Sequence, residues 1–363
     1  MNIAFFGSSL VSAYWNGAAT YYRGIIRALH GLGHRVTFYE PNAYDRQAHR
    51  DIEDPYWATV VVYDPGPADA PSDALWRALE AARRADLVIK ASGVGVHDAL
   101  LESAVLELQA SDRLVAFWDV DAPATLDRVG VDPADPFRAL IPRYDLILTY
   151  GGGEPVIRAY EALGARLCVP IYNAVDPDTH HPVPPDPRFA ADLAFLGNRL
   201  PDREARVEEF FLAAAAAAPE RSFLLAGNGW ADKRMPANVR YIGHLPTADH
   251  NAFNCTPLAV LNIARESMAR YGFSPATRVF EAAGAGACLI SDHWEGLDQF
   301  LRPGLDVLVA RTGLEVAQHL TSLTPEVATA HGRMARARVL QSDTYAHRAA
   351  QFELVLNARK GRE

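Results

Sequence analysis

Cysteine is scarce in this chain. Cys168, Cys255 and Cys288 are the only three in 363 residues, and each stands in an apolar or strand-like setting. Three scattered thiols make no disulfide framework, so buried thiols in a reducing cytosol are expected, and with them a cytoplasmic location. An excess of positive charge is also missing. The formal net charge is -9, which excludes a nucleic-acid binder held by bulk electrostatics but leaves room for a local basic pocket. No apolar run approaches the ~20 residues of a membrane span. The opening MNIAFFGSSL has no basic lead and too short an apolar run for a signal peptide, so it is expected to be a first strand. There is no GxGxxG, which leaves little support for a dinucleotide site, and there is no internal sequence repeat.

What is present is a packed α/β pattern. Hydrophobic residues make up 49% and charged residues 22%, and the length suits two domains better than one core. Asn2–Phe6 reads as a strand and Gly7-Ser8-Ser9 as the turn after it, whose backbone N–H groups can hold a phosphate. A helix is expected over 17–32, with Asn16 as its cap and Ile25, Ile26, Leu29 and Leu32 at helical spacing. Strands at 34–39, 59–63, 86–91, 113–118 and 144–149 alternate with helices at 72–84, 97–109 and from Gly151 to near Gly164. Residues 1–172 thus form a doubly wound half. The stretch 173–188, within a linker taken as 173–190, holds five prolines and no helical period, so it reads as a stiff linker or hinge. The alternation restarts over 191–342, with strands at 192–197, 222–226, 239–242, 258–262 and 287–291 and a helix at 203–218. Residues 343–363 read as a terminal helix packing across the two halves.

The stretch 273–300 organises the second half. Ser274 can cap a helix, Pro275 fits its first turn, and the helix is expected to stop near Gly284 or Gly286. Arg278 and Glu281 lie one turn apart at its start. Arg278 can neutralise a phosphate and Glu281 can accept hydrogen bonds from sugar hydroxyls; a surface ion pair is the plainer alternative. Ser291, Asp292 and His293 follow at a strand's carboxyl end, where open α/β sheets bind ligands. Arg199, Arg203, Arg265 and Arg278 all follow strand ends in this half and, with Asn262, can make a cationic pocket; pairing with Asp202, Glu204 and Glu266 is the alternative for each. Gly227 and Gly229, and Gly243-His244-Leu245, also end strands, and a base ring can lie against them; tight turns need the same glycines. Asp119 and Asp121 form a DxD. Two carboxylates are too few to specify a metal, whereas Asp121 alone can take a proton from an acceptor hydroxyl or cap a helix. His180 and His181 lack further ligands at zinc-site spacing.

The wording WNGAATYYRGIIRALHGLGHRV, NAVDPDTHHP, DLAFLGNRLPDRE and, most specifically, LNIARESMARYGFSPATRVFEAAGAGACLISD resembles the CgeB-like (spore maturation protein-like) branch of GT-B glycosyltransferases, near glycosyltransferase family 4. The resemblance covers nearly the whole chain. It implies two Rossmann-like domains facing a cleft, and a metal-independent, cofactor-free transfer of a sugar from a nucleotide-diphosphate donor to an unidentified acceptor. It also implies roles: Glu281 on the ribose or sugar, Arg278 and Arg265 near the diphosphate, and Arg199 and Arg203 as phosphate contacts. Gly243, His244 and Leu245 would line the base, and Gly7, Asn16 and Gly17 would approach from the first domain. The family has two glutamates here, and the first is replaced by Phe273. A sugar-nucleotide epimerase and a non-catalytic sugar-nucleotide-binding protein are the two rival expectations.

Overall fold

Short runs of β-branched and aromatic residues become strands, and the apolar-periodic stretches between them become helices. In the computed structural model, which describes residues 1–360, these elements sort into two units. One is residues 1–172 with the chain from Tyr345 onward, and the other is Asn173–Thr344.

The first unit holds β1 (Asn2–Phe6), β2 (Arg35–Pro41), β3 (Thr59–Tyr63), β4 (Leu87–Ala91), β5 (Leu114–Asp119), β6 (Leu146–Thr149) and β7 (Cys168–Pro170). They form a seven-stranded sheet in the order β3-β2-β1-β4-β5-β6-β7, and every pairing is parallel. Both faces must therefore be covered, which is why these strands are almost wholly apolar. Phe5 stacks on Phe38 with ring centroids 5.2 Å apart. The helix Ala19–Gly31 lies against the carboxy-terminal helix Tyr345–Lys360. Gly24 makes this contact possible, because a Cβ there would run into the Tyr345 ring. The carboxy-terminal helix is thus part of the first unit.

The second unit holds β8 (Leu193–Leu196), β9 (Phe223–Ala226), β10 (Val239–Tyr241), β11 (Ala259–Asn262), β12 (Leu289–Asp292) and β13 (Val307–Ala310), ordered β10-β9-β8-β11-β12-β13. These pairings are parallel as well. The strand order reverses between β1 and β4 in one sheet and between β8 and β11 in the other. Connections leave in opposite directions at such points and open a crevice at the strands' carboxyl ends.

Several local expectations are corrected. The helix of the 273–300 stretch starts at Thr277, with Ala276 in the cap position. Ser274 instead gives its hydroxyl to the Gly272 carbonyl at 2.8 Å, and the Pro275 carbonyl is held by Asn173 at 3.1 Å. The first helix is capped at Ala18 rather than Asn16. The proline-rich stretch is no spacer: it is laid onto the second unit, with Val175 and His180 buried and Val175 bridged to Thr344. The short strands β7 and β13 and the helices Ala122–Val131, Pro136–Leu140, His250–Cys255 and Glu266–Tyr271 escaped the sequence reading. Most span only a few residues, and packing rather than periodicity fixes segments that short.

Candidate functional site

The crevice between β8 and β11 is built from aromatic and small residues. Phe195 on β8 is fully buried, and the Arg278 guanidinium carbon sits 5.0 Å from its ring centroid. β8 runs out into Gly197 and Asn198. A Cβ on Gly197 would crowd the Phe195 ring at 2.8 Å and Arg203 Nη1 at 3.2 Å, so only glycine lets Arg203 fold back to the Asn198 carbonyl at 3.3 Å. Arg203 and Arg278 are thereby neighbours. Arg278 Nε is buried with no hydrogen-bond partner, and no carboxylate pairs with this guanidinium among the described residues. Burial, then the Arg203 charge, pull Arg278 down from the usual arginine value to about 9, against the weaker opposing effects of Glu281 and Asp292. Arginine does not give up its proton in proteins. With its Nε buried and unpartnered, Arg278 is a cation without a matching carboxylate, which is the arrangement that suits an anion.

The other two arginines of the expected cluster are already neutralised. Arg199 bonds Glu204 at 2.6 Å and Asp232 at 2.9 Å, and Arg265 bonds Asp202 at 2.7 Å. Asp292 is likewise occupied. It is fully buried, pairs with Arg206 at 2.6 Å and accepts the Ala264 N–H at 2.9 Å. Burial pushes its carboxyl up, against the Arg206 charge that holds it down. Asn262 gives its amide to Ser291 at 3.0 Å. Asp292 therefore shapes the turn after β11, with Arg206, which the sequence reading passed over, as its counter-charge, whereas Asn262 Oδ1 is buried with no hydrogen-bond partner.

Glu281 lies one turn along its helix from Arg278 and is 8% exposed. Gly284, on the next turn, explains what faces it. A Cβ there would collide with Val175 and come within 3.0 Å of the His180 carbonyl, so glycine lets the proline-rich strand lie on the helix and bring His180 Nε2 to 3.8 Å from Glu281. His180 Nδ1 is held by the Thr179 hydroxyl at 2.9 Å. Asn251 holds the Thr179 carbonyl at 2.8 Å, tying this loop to the helix that begins at His250. His180, His250 and Glu281 bring one donor atom each within 4.8 Å of one another. Sequence reasoning set His180 aside for want of partners and missed His250; nothing in the local pattern points either toward Glu281.

The glycine turns sort differently. Gly227 has φ +119, and a Cβ there would meet the Gly197 backbone, so it serves the close approach of the turns after β8 and β9. Gly243 has φ +74 with open space beside it, His244 is exposed, and Leu245 packs in the core with Phe189 and Phe253.

In the first unit, Gly7 is needed because a Cβ would strike the Phe38 ring. Asn16 accepts from Ser8 at 2.9 Å and donates to the Ser9 and Ser12 carbonyls at 2.8 and 3.0 Å, so it locks the loop after β1. Gly17 borders open space. Arg46 spans the crevice between β1 and β4, reaching the Ser8 carbonyl at 3.1 Å and the Val94 carbonyl at 3.4 Å. Asp119 is fully buried and bonded by Ser92 at 2.7 Å, Thr125 at 3.1 Å, the Asp121 N–H at 3.0 Å and the Tyr160 hydroxyl. Its lone pairs are committed to the fold. Asp121 is half-buried at the start of the helix Ala122–Val131, and its side chain makes no capping bond.

Residues 203–353 match the family model described as glycosyl transferase-like. No curated protein matches the chain. Among solved structures, sucrose-phosphate synthase from Thermosynechococcus elongatus superposes with a TM-score of 0.70 at 15% identity, covering 100% of both chains. HepE of Anabaena in complex with UDP-glucose gives 0.66 at 14% identity, covering 99% of this chain and 100% of its own. The T4 phage BGT in complex with its UDP-glucose substrate gives 0.61 at 10%, covering 99% of each. The two parallel sheets thus have the GT-B architecture at full chain coverage. Among the described residues, no helix is long and apolar enough to cross a membrane.

Proposed function

Taking the chain as a glycosyltransferase of the GT-B fold, we propose that it transfers a sugar from a nucleotide-diphosphate donor held by the second unit. One observation carries the reading: beside Arg203 at the crevice between β8 and β11, Arg278 lies over the Phe195 ring with its Nε buried and without a hydrogen-bond partner, and no carboxylate among the described residues pairs with it. A pyrophosphate supplies the missing charge. The same pair then stabilises the charge that grows on the leaving diphosphate as the bond from the sugar to phosphate oxygen breaks. Glu281, beside them, takes hydroxyls of the ribose or sugar, and the turn at Gly243 lies open for the base. Asp121 is the carboxylate assigned to take the proton from the acceptor hydroxyl as its oxygen bonds to the sugar. Solved complexes of two similar folds contain UDP-glucose, which supports a uridine nucleotide as the first to try. No step here uses a metal.

The replacement of a carboxylate by Phe273 favours a second reading, a sugar-nucleotide-binding protein without turnover. Phe273 packs on Gly296 and contributes no charge. Thermal denaturation against UDP, ADP and GDP tests the first step, because a ligand of the native state raises Tm. A rise with a diphosphate and none with the nucleoside is expected, and no rise with any of them sinks the proposal. Incubation with nucleotide sugars and candidate acceptors separates the readings: release of nucleoside diphosphate with a glycosylated product supports transfer, and binding without release supports the second.

A further inference from the structure

In the first unit, Arg46 leaves most of its donors unspent at the crevice between β1 and β4. The residue is 7% exposed. Its Nη1 donates to the Ser8 and Val94 carbonyls, and Nη2 makes no hydrogen bond among the described residues. Its Nε is buried with no partner, which is costly unless a ligand takes up the bond. No carboxylate among the described residues forms an ion pair with it. Glu40 and Asp98 are near enough to act on its charge, but their oxygens are taken. Glu40 accepts from Ser9 at 3.0 Å, from the Leu10 N–H at 2.6 Å and from Gln47. Asp98 accepts from Lys90 at 2.6 Å and from the Val94 and Gly95 N–H groups at 3.1 and 2.7 Å. A counter-charge that ties two loops needs only Nη1 and the charge, so that role leaves the Nε–Nη2 edge unexplained.

The neighbouring loops carry the same signature. The Tyr44 ring centroid lies 5.0 Å from the Arg46 guanidinium carbon, and Tyr44 is 54% exposed. Gly95 permits this placement, since a Cβ there would come within 2.8 Å of the Tyr44 ring. Tyr44, Asp45 and His97 hold left-handed φ values of 58, 56 and 55, and non-glycine strain of this kind concentrates at ligand sites. The Tyr63 hydroxyl, at the end of β3, and His97 Nε2, after β4, are also buried without a partner. Asp121 stands on the same edge of the sheet. The Val120 N–H donates to Ser92 Oγ at 2.9 Å, which joins the turn after β5 to the loop that carries Val94. From the crevice to that turn is one to two strand spacings, roughly 5–10 Å, so one small acceptor can reach both.

We propose that the acceptor is acidic: it carries a carboxylate or a phosphate monoester that Arg46 holds on its Nε–Nη2 edge, while Asp121 takes the proton from its hydroxyl. This rests on the transfer reading above and names the class of acceptor. Two coplanar donors match two oxygens of either anion.

The test is calorimetric titration of the full chain with glucose, glucuronate and glucose 6-phosphate, on the unaltered protein, Arg46→Met and Arg46→Lys. At least one acidic hexose should bind about tenfold or more tighter than glucose, and which of the two does so separates carboxylate from phosphate. Arg46→Met should bring that ratio close to one and leave the affinity for glucose as it was. Arg46→Lys keeps the charge without the planar edge; it should lose about threefold or more of the preference, and it replaces the methionine variant should that fail to fold. Equal binding of the three hexoses, no binding of any, or an unchanged ratio in the variants overturns the inference. So does an equal loss of neutral and acidic binding, which would mark Arg46 as structural. The rise in Tm with UDP, measured on the same proteins, does not depend on Arg46. Its absence beside an intact acid preference sinks the nucleotide reading and leaves the anion contact standing, and its presence without an acid preference does the reverse.

Discussion

Of the four arginines expected to cluster in the second unit, Arg199, Arg203 and Arg265 stand in loops after strands and Arg278 in the first turn of a helix, and the structure separates them by what each already touches. Arg199 and Arg265 are bound to carboxylates, and exposed pairs of that kind contribute little. Arg278 rests on an aromatic face beside another guanidinium. Arg278→Ala should therefore reduce nucleotide-diphosphate release on the order of 100-fold or more, while Arg199→Ala changes it by less than about threefold. Arg278→Met should leave Tm unchanged or raise it, because an uncompensated charge leaves a half-buried position while the aliphatic packing on Phe195 stays. A variant that gains stability while losing turnover marks a residue kept for its ligand. A steep fall in Tm with Arg278→Met would mark it as structural. Sequence could name the four arginines, since Arg199, Arg203 and Arg265 stand after strands and Arg278 opens a helix. It could not sort them, because Asp232 and Asp202 reach their partners only through loops that the fold brings together.

Among the elements, the long helices and the buried strands were readable from periodicity and apolar runs. The starts of helices were less so: Ser274 has the right residue type for a cap, yet Asn173 draws the following carbonyl away and the helix begins later. The proline-rich stretch misled for a similar reason. Proline excludes helix and predicts extension, but it does not say whether the extended chain spans solvent or lies on a helix. Gly284 decides that by leaving room for it. Gly284→Val should push Val175 and His180 off the helix, lower Tm by the equivalent of ~1–3 kcal/mol, and weaken ribonucleotide binding relative to a thermally matched core variant. Gly24→Ala makes the complementary test in the first unit. Its methyl would meet the Tyr345 ring, and a comparable loss of stability is expected with nucleotide binding retained. Undiminished Tm in either variant would show that the helices can move apart at little cost.

Stability of the whole molecule should depend on pH through a group that is not part of the candidate site. Glu102, 5% exposed, has its carboxyl pushed from 4.5 up to about 7 by burial, against the pull of Lys90 and Arg128. A carboxyl raised in the folded state favours folding fully below its unfolded value. That contribution fades as pH rises from about 4.5 and is gone above about 7. Glu102→Gln lacks this dependence, so denaturation midpoints of the two proteins should agree near pH 4.5 and separate by pH 8 in favour of the variant, by on the order of 3 kcal/mol. Parallel curves across that range would place Glu102 in contact with water. At this scale the sequence by itself determined the repeating strand–helix architecture, its restart after the prolines and the carboxyl-end placement of the charged residues, because periodicity and turn chemistry are local. Only the tertiary structure decided which arginine stays unneutralised and that His180 and His250 meet Glu281. Those relations join residues far apart in the chain, and strand order and glycine-permitted contacts, neither written in any one segment, bring them together.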